Sequence, residues 1–137
     1  DEGNNVLIKV LVGKVKNVSS AVQTYSPVSI FDVQFSKPSL IDLDIPKNQT
    51  VMVYVIDGEL KFDVDNKIVR KGQMIYFDQL SDMINLTSIS SNGSYLVLAG
   101  ESINEPVVRY GPFVTNTEGE MKQVMLDYQN GKMGTLN

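Results

Sequence analysis

From residue 28 to residue 45 the chain carries two segments whose side-chain pattern suits a β-strand and not a helix. Ile41, Leu43 and Ile45 alternate with Asp42 and Asp44. Phe31, Val33 and Phe35 form one apolar set, and Ile30, Asp32 and Gln34 between them are mixed. Successive side chains of a strand point to opposite faces, so each segment buries one side and leaves the other wet. Similar strand-forming runs occur at Val6–Val12, Val51–Ile56, Leu60–Val64, Ile68–Val69, Met74–Phe77, Met83–Ile89 and Tyr95–Ala99. Turn signals separate them. Asp57-Gly58 reads as a two-residue hairpin turn, and Asp65-Asn66 and Asn92-Gly93 read as further turns. Roughly nine or ten short strands with frequent turns predict an all-β sandwich or small barrel, without the crossover helices of a parallel sheet.

The last section changes period. Pro106 and Pro112 keep Glu105–Pro112 extended. Thr117-Glu118-Gly119-Glu120 has the spacing of a capping box. Met121, Val124, Met125 and Tyr128 then make one apolar stripe, which predicts packing against the barrel. Gly131 suits the left-handed residue after the last turn. The spacing predicts one short helix over Glu118–Gln129. The expected organisation is a single domain over residues 1–137: a polar leader at 1–5, a β-barrel at 6–100, an extended segment at 101–116 and the C-terminal helix region at 117–131.

Composition narrows the function. At 137 residues the chain folds around one core with no disulfide or structural metal required. There is no histidine, the usual ligand for zinc, iron, copper and nickel and the commonest general base. Any triad built on imidazole is excluded. There is no cysteine, so no thiolate site and no disulfide framework, and a cytoplasmic setting is expected (or the nucleus in a eukaryote). The net charge is −4 and the basic residues are scattered, which argues against direct binding to nucleic acid. No apolar run approaches the ~20 residues of a membrane helix, so no membrane partner is expected. Sequons at Asn17, Asn48, Asn85 and Asn92 are attributed to chance in an Asn-rich chain.

The segment from Asn104 to Thr117, with its Glu105-Pro106, Gly111-Pro112-Phe113 and Asn116-Thr117, closely resembles the closing segment of pirins. So does Asp127-Tyr128-Gln129-Asn130-Gly131-Lys132. The resemblance to the second pirin domain extends over the whole chain, more weakly from Val6 to Phe77. It implies a cupin fold, a double-stranded β-helix or jelly-roll-like barrel, closed by a short C-terminal helix. It also implies a partner barrel upstream that carries iron on three histidines and one glutamate. On that resemblance this chain starts about where the second barrel begins, holds no cofactor itself and has the N-terminal pirin-type cupin domain as its partner; a homodimer is the other association considered.

Metal-binding cupins place His-x-His and then Glu ahead of a strand ending in a Gly turn, with a further His after the next Gly-containing turn. Val53–Gly58 resembles the end of the first motif and Lys71-Gly72-Gln73 the start of the second. Counting from them puts the degenerate ligand positions at Asp44, Pro46, Thr50 and Met83, where no three good ligands assemble. Asp63–Asn66 has the look of a calcium loop but lacks the Gly and Glu such a loop needs, and a hairpin turn accounts for it better. Asp42 and Asp44 share a strand face and are read as solvated. Glu105, Pro106, Tyr110, Pro112 and Phe113 are candidates for the interdomain contact, or else a stiff connection in which Gly111 allows close approach. The expectation is a non-catalytic, metal-free barrel supporting an iron barrel. Whole pirins are implied to cleave flavonols such as quercetin or to modulate transcription factors. The alternative is a stand-alone barrel binding a sugar or flavonoid without metal.

Overall fold

The alternating segments form strands, and the residues that the pattern marks as apolar are the ones that point inward. The computed structural model describes residues 5–62, 67–77 and 83–134. Along the chain these form β1 (Val6–Val12), β2 (Lys14–Val15), β3 (Val18–Ser19), β4 (Val28–Phe35), β5 (Ser39–Asp44), β6 (Gln49–Asp57), β7 (Glu59–Lys61), β8 (Ile68–Arg70), β9 (Met74–Phe77), β10 (Met83–Ser88), β11 (Gly93–Glu101), β12 (Val108–Tyr110), β13 (Phe113–Thr115) and the helix α1 (Glu118–Gln129). Contacts divide the chain into two compact units, one ending at Ser102 and one beginning at Ile103.

The first unit is an antiparallel jelly roll. One sheet has the order β1-β4-β11-β6-β9 and the other β5-β10-β7-β8. From β4 to β7 the chain changes sheet at every step, so each connection is a corner and the two apolar faces close on each other. Phe31, Val33, Val51, Val53, Val55, Leu60, Leu86 and Val97 are fully or almost fully buried between them. Each contributes about 1.5–3 kcal/mol by leaving water. Ser88 is a fully buried polar residue of the core. Its Oγ accepts from the Ser39 amide at 2.9 Å and donates to the Ser39 carbonyl at 3.1 Å, so it costs no unpaired group and ties β5 to β10.

The two sides of this sandwich differ. On one, Phe62 and Phe77 bring their rings to 5.3 Å and seal the sheets. On the other, β1 and β5 are both edge strands.

Two turn readings are corrected. Asp57-Gly58 does not make a hairpin: β6 pairs with β9 and β11, and β7 pairs with β8 and β10. Gly58, at φ +84°, is the corner at which the chain leaves one sheet for the other. The sequence reports the positive φ but not which strands flank it in space. Within Glu105–Pro112, Val108–Tyr110 is an extended strand, and it pairs with Phe113–Thr115 in a hairpin that turns at Gly111-Pro112. Gly111 has φ +55° and open space where a Cβ would stand. Its role is therefore to supply the backbone angle of a hairpin turn with Gly first, not to allow close approach. The Asp65-Asn66 turn, the calcium-loop candidate at Asp63–Asn66 and the strand end at Val64 lie outside the described residues.

In the second unit α1 packs on this hairpin, with Phe113 and Tyr128 edge-on at 5.4 Å. Thr117 caps the helix. Its hydroxyl accepts from the Glu120 amide at 3.1 Å, and Glu120 reaches back to the Thr117 amide at 2.9 Å. Met121 of the predicted stripe is buried, Val124 and Met125 are half-buried and Tyr128 is exposed.

Candidate functional site

A cupin holds its metal on side chains that point into the barrel. The inward sets of β5, β6 and β10 can be read from burial. Leu43 and Ile45, then Gln49, Val51 and Val53, and on β10 Ile84 and Leu86 face in. Asp44 and Met83 face out, directly across from each other on β5 and β10. Pro46 is exposed in the turn before β6, where its carbonyl accepts from the Gln49 amide at 2.9 Å. Thr50 is half-buried on the outward side of β6. The positions counted from the motif anchors therefore sit one residue away from the inward set. Leu43, Ile45 and Gln49 have the same spacing as Asp44, Pro46 and Thr50, and Ile84 is the inward neighbour of Met83. β6 carries a bulge, which bears on the count back from Gly58 and not on the count forward from Lys71-Gly72 to Met83. The register of β6 against β11 shifts between the Asp57–Ser94 and Val55–Tyr95 pairs. One extra residue in a strand exchanges its two faces for any count that runs through it.

The inward positions do not fit iron. Three of the four are aliphatic, and Gln49 offers one neutral amide. Its Oε1 is buried with no hydrogen-bond partner among the described residues. A transition ion held in a cupin needs several imidazole or carboxylate donors converging on one point. No group of three or more His, Cys, Asp or Glu comes together among the described residues.

Among the described residues, Tyr95 is the other buried side chain with an unpaired polar atom. It is fully buried on β11 with its ring 6.3 Å from that of Phe35, and its hydroxyl has no partner among the described residues. Burial pushes the phenol well above its ordinary range. A raised folded-state pKa means the folded chain keeps the proton that the unfolded chain releases above pH ~10. Stability is thus complete below that pH and falls as pH rises from there toward the folded value. Tyr95→Phe is expected to be neutral or stabilising by about 1 kcal/mol at pH 7, because an unpaired buried hydroxyl is removed. It is also expected to lessen the alkaline loss, by about 1.4 kcal/mol for each pH unit above that point. Urea unfolding of both proteins at pH 7 and 11 measures the difference.

The remaining candidates lie on surfaces. Asp42 accepts from the side-chain amide of Asn85 and is exposed, as is Asp44. In the second unit Glu105, Pro106, Tyr110 and Pro112 are exposed, Asn116 donates to Glu105, and Phe113 is half-buried through its contact with Tyr128. Sequence reasoning missed an open cleft of about 1110 Å³ along β1 and β5, with Val15, Lys16 and Val18 of the β2–β3 hairpin at one end. Those two strands of two residues each are too short to leave a periodic signal. The pair Lys16-Asn17 between them, with Lys16 at φ +50°, is the only turn cue.

Comparison with known proteins agrees with this geometry. The sequence profile of the Pirin C-terminal cupin domain matches residues 30–134. The chain is 32% identical to pirin of Mus musculus over 135 residues, covering 96% of this chain and 46% of that protein. It is 31% identical to Pirin-1 of Arabidopsis thaliana over 137 residues, covering 97% of this chain and 47% of that one. A crystal structure of quercetin 2,3-dioxygenase from Acinetobacter baumannii superposes with a TM-score of 0.84 at 26% identity, over 98% of this chain and 46% of that one. The chain thus spans about half the length of the relatives it matches. With a cupin jelly roll, a capped C-terminal helix and a profile match over most of its length, the chain belongs to the pirin family through its C-terminal cupin domain.

Proposed function

We propose that this barrel is the metal-free, non-catalytic half of a pirin-like protein, packed against an iron-binding cupin barrel that it supports and orients. The observation that carries this reading is the inward set Leu43, Ile45, Gln49 and Ile84, which offers one neutral donor where an iron cupin needs several charged or imidazole ones. The relatives are about twice as long as this chain, which leaves room in them for a second barrel. The exposed face at Glu105, Pro106, Tyr110 and Pro112, with Phe113 behind it, is the surface proposed to meet that barrel. In the whole protein, oxidative cleavage of a flavonol such as quercetin, or contact with a transcription factor, belongs to the iron half. A stand-alone barrel for a sugar or flavonoid is the weaker reading, because buried aliphatic and aromatic side chains occupy the space between the sheets.

The test is turnover. The purified chain, given ferrous iron, oxygen and quercetin, is expected to consume quercetin no faster than the same mixture without protein. Saturable, oxygen-dependent loss of quercetin that scales with the concentration of this chain would overturn the proposal.

A further inference from the structure

The open side of the jelly roll presents backbone, and hydrogen-bond parity shows which residues do so. The Ser36 amide bonds to the Asn5 carbonyl at 2.9 Å, so Asn5, Leu7 and Lys9 turn their backbone groups toward β4. Backbone direction alternates along an antiparallel strand. Val6, Ile8 and Val10 therefore turn theirs to the free edge of β1. On the other sheet the Ile89 amide bonds to the Glu59 carbonyl, so the odd residues of β10 face β7 and Ile84, Leu86 and Ser88 face β5. Their partners Leu43, Ile41 and Ser39 complete that ladder, which leaves Leu40, Asp42 and Asp44 turned to the free edge of β5. All six edge-facing residues line the same cleft. Each carries an N–H and a C=O that pair with no strand among the described residues.

We propose that this cleft takes one extended peptide strand from a partner polypeptide, its side chains alternating apolar with Lys or Arg. A strand laid beside β5 would satisfy the row of backbone groups, the strand-addition mode of peptide recognition. Its side chains would inherit the alternation of β5. Next to Ile41 and Leu43 they would face the core and cover the half-buried Val6, Ile8 and Val10, so they must be apolar. Next to Asp42 and Asp44 they would face out beside two exposed carboxylates, so basic residues fit. Lys16 at the hairpin end is the one opposing charge among the lining residues.

The probe is an acetylated, amidated octapeptide of alternating Lys and Val, compared with the same peptide carrying Glu for Lys. Fluorescence anisotropy on the 137-residue chain is expected to show saturable binding of the Lys peptide, at least about tenfold tighter than the Glu peptide. Amide exchange by NMR is expected to be fast at Leu40, Asp42 and Asp44 in the free chain and to slow by about tenfold or more with the Lys peptide bound. Leu40→Pro removes one edge amide without touching the β10 ladder and is expected to weaken binding by about tenfold. Asp42→Asn with Asp44→Asn is expected to abolish the preference for Lys over Glu, and circular dichroism confirms that each variant folds. Equal affinity for the two peptides, or binding that leaves those amides unprotected, overturns the proposal. So does edge protection that appears with protein concentration alone, because a second copy is then the occupant.

Discussion

Gly93→Ala is expected to destabilise the chain by roughly 3 kcal/mol, whereas Gly100→Ala on the same strand stays within about 0.5 kcal/mol of the parent. The two glycines differ in what surrounds the missing methyl. A Cβ on Gly93 would stand 2.4 Å from the Asp57 carbonyl oxygen and 2.6 Å from the tip of the Phe35 ring. Neither neighbour yields cheaply. The carbonyl belongs to β6, just before the corner at Gly58, and the Phe35 ring is buried in the core. The methyl would therefore force β11 away from β6 at the place where the register already shifts. A Cβ on Gly100 would meet nothing closer than 3.9 Å, an ordinary contact. Removing glycine there also lowers the entropy of the unfolded chain, which offsets small strain. Urea midpoints of the two variants at constant m-value test the contrast. Equal midpoints would mean that the close approach of β11 to β6 at Gly93 is not a feature of the folded protein.

The same neighbourhood marks where the sequence could and could not be read. Alternation such as Ile41-Asp42-Leu43-Asp44-Ile45 identifies a strand and its buried face directly, because burial has the same period as the pattern. The Thr117-to-Glu120 capping box is equally direct, since donor and acceptor lie within four residues. Non-local pairing left no such trace. Asp57-Gly58 has the same residues in a hairpin and in a corner between sheets, and only the partners of β6 and β7 distinguish the two. The bulge near Ile56 carries no residue signature, and the positions counted back through it from Gly58, Asp44, Pro46 and Thr50, alternate with the buried Leu43, Ile45 and Gln49. Neither set contains an imidazole. The cleft was invisible for a different reason: Val6, Ile8, Leu40 and Asp42 become a site only when the ends of two sheets lie side by side.

The absence of a donor set leads to the second prediction, which is all-or-none. Three aliphatic side chains and one amide cannot offset the cost of stripping water from a divalent ion inside an apolar barrel. Gln49 Oε1 is buried with no partner among the described residues, so Gln49→Leu is expected to keep or raise stability, and it removes the last inward polar side chain at these four positions. The decisive measurement is elemental analysis of the refolded chain after exposure to iron, manganese, nickel and zinc and dialysis against a chelator. Trace metal only, the same in the parent and in Gln49→Leu, is the predicted result. One ion per chain that survives dialysis in the parent and is lost in Gln49→Leu would contradict the account.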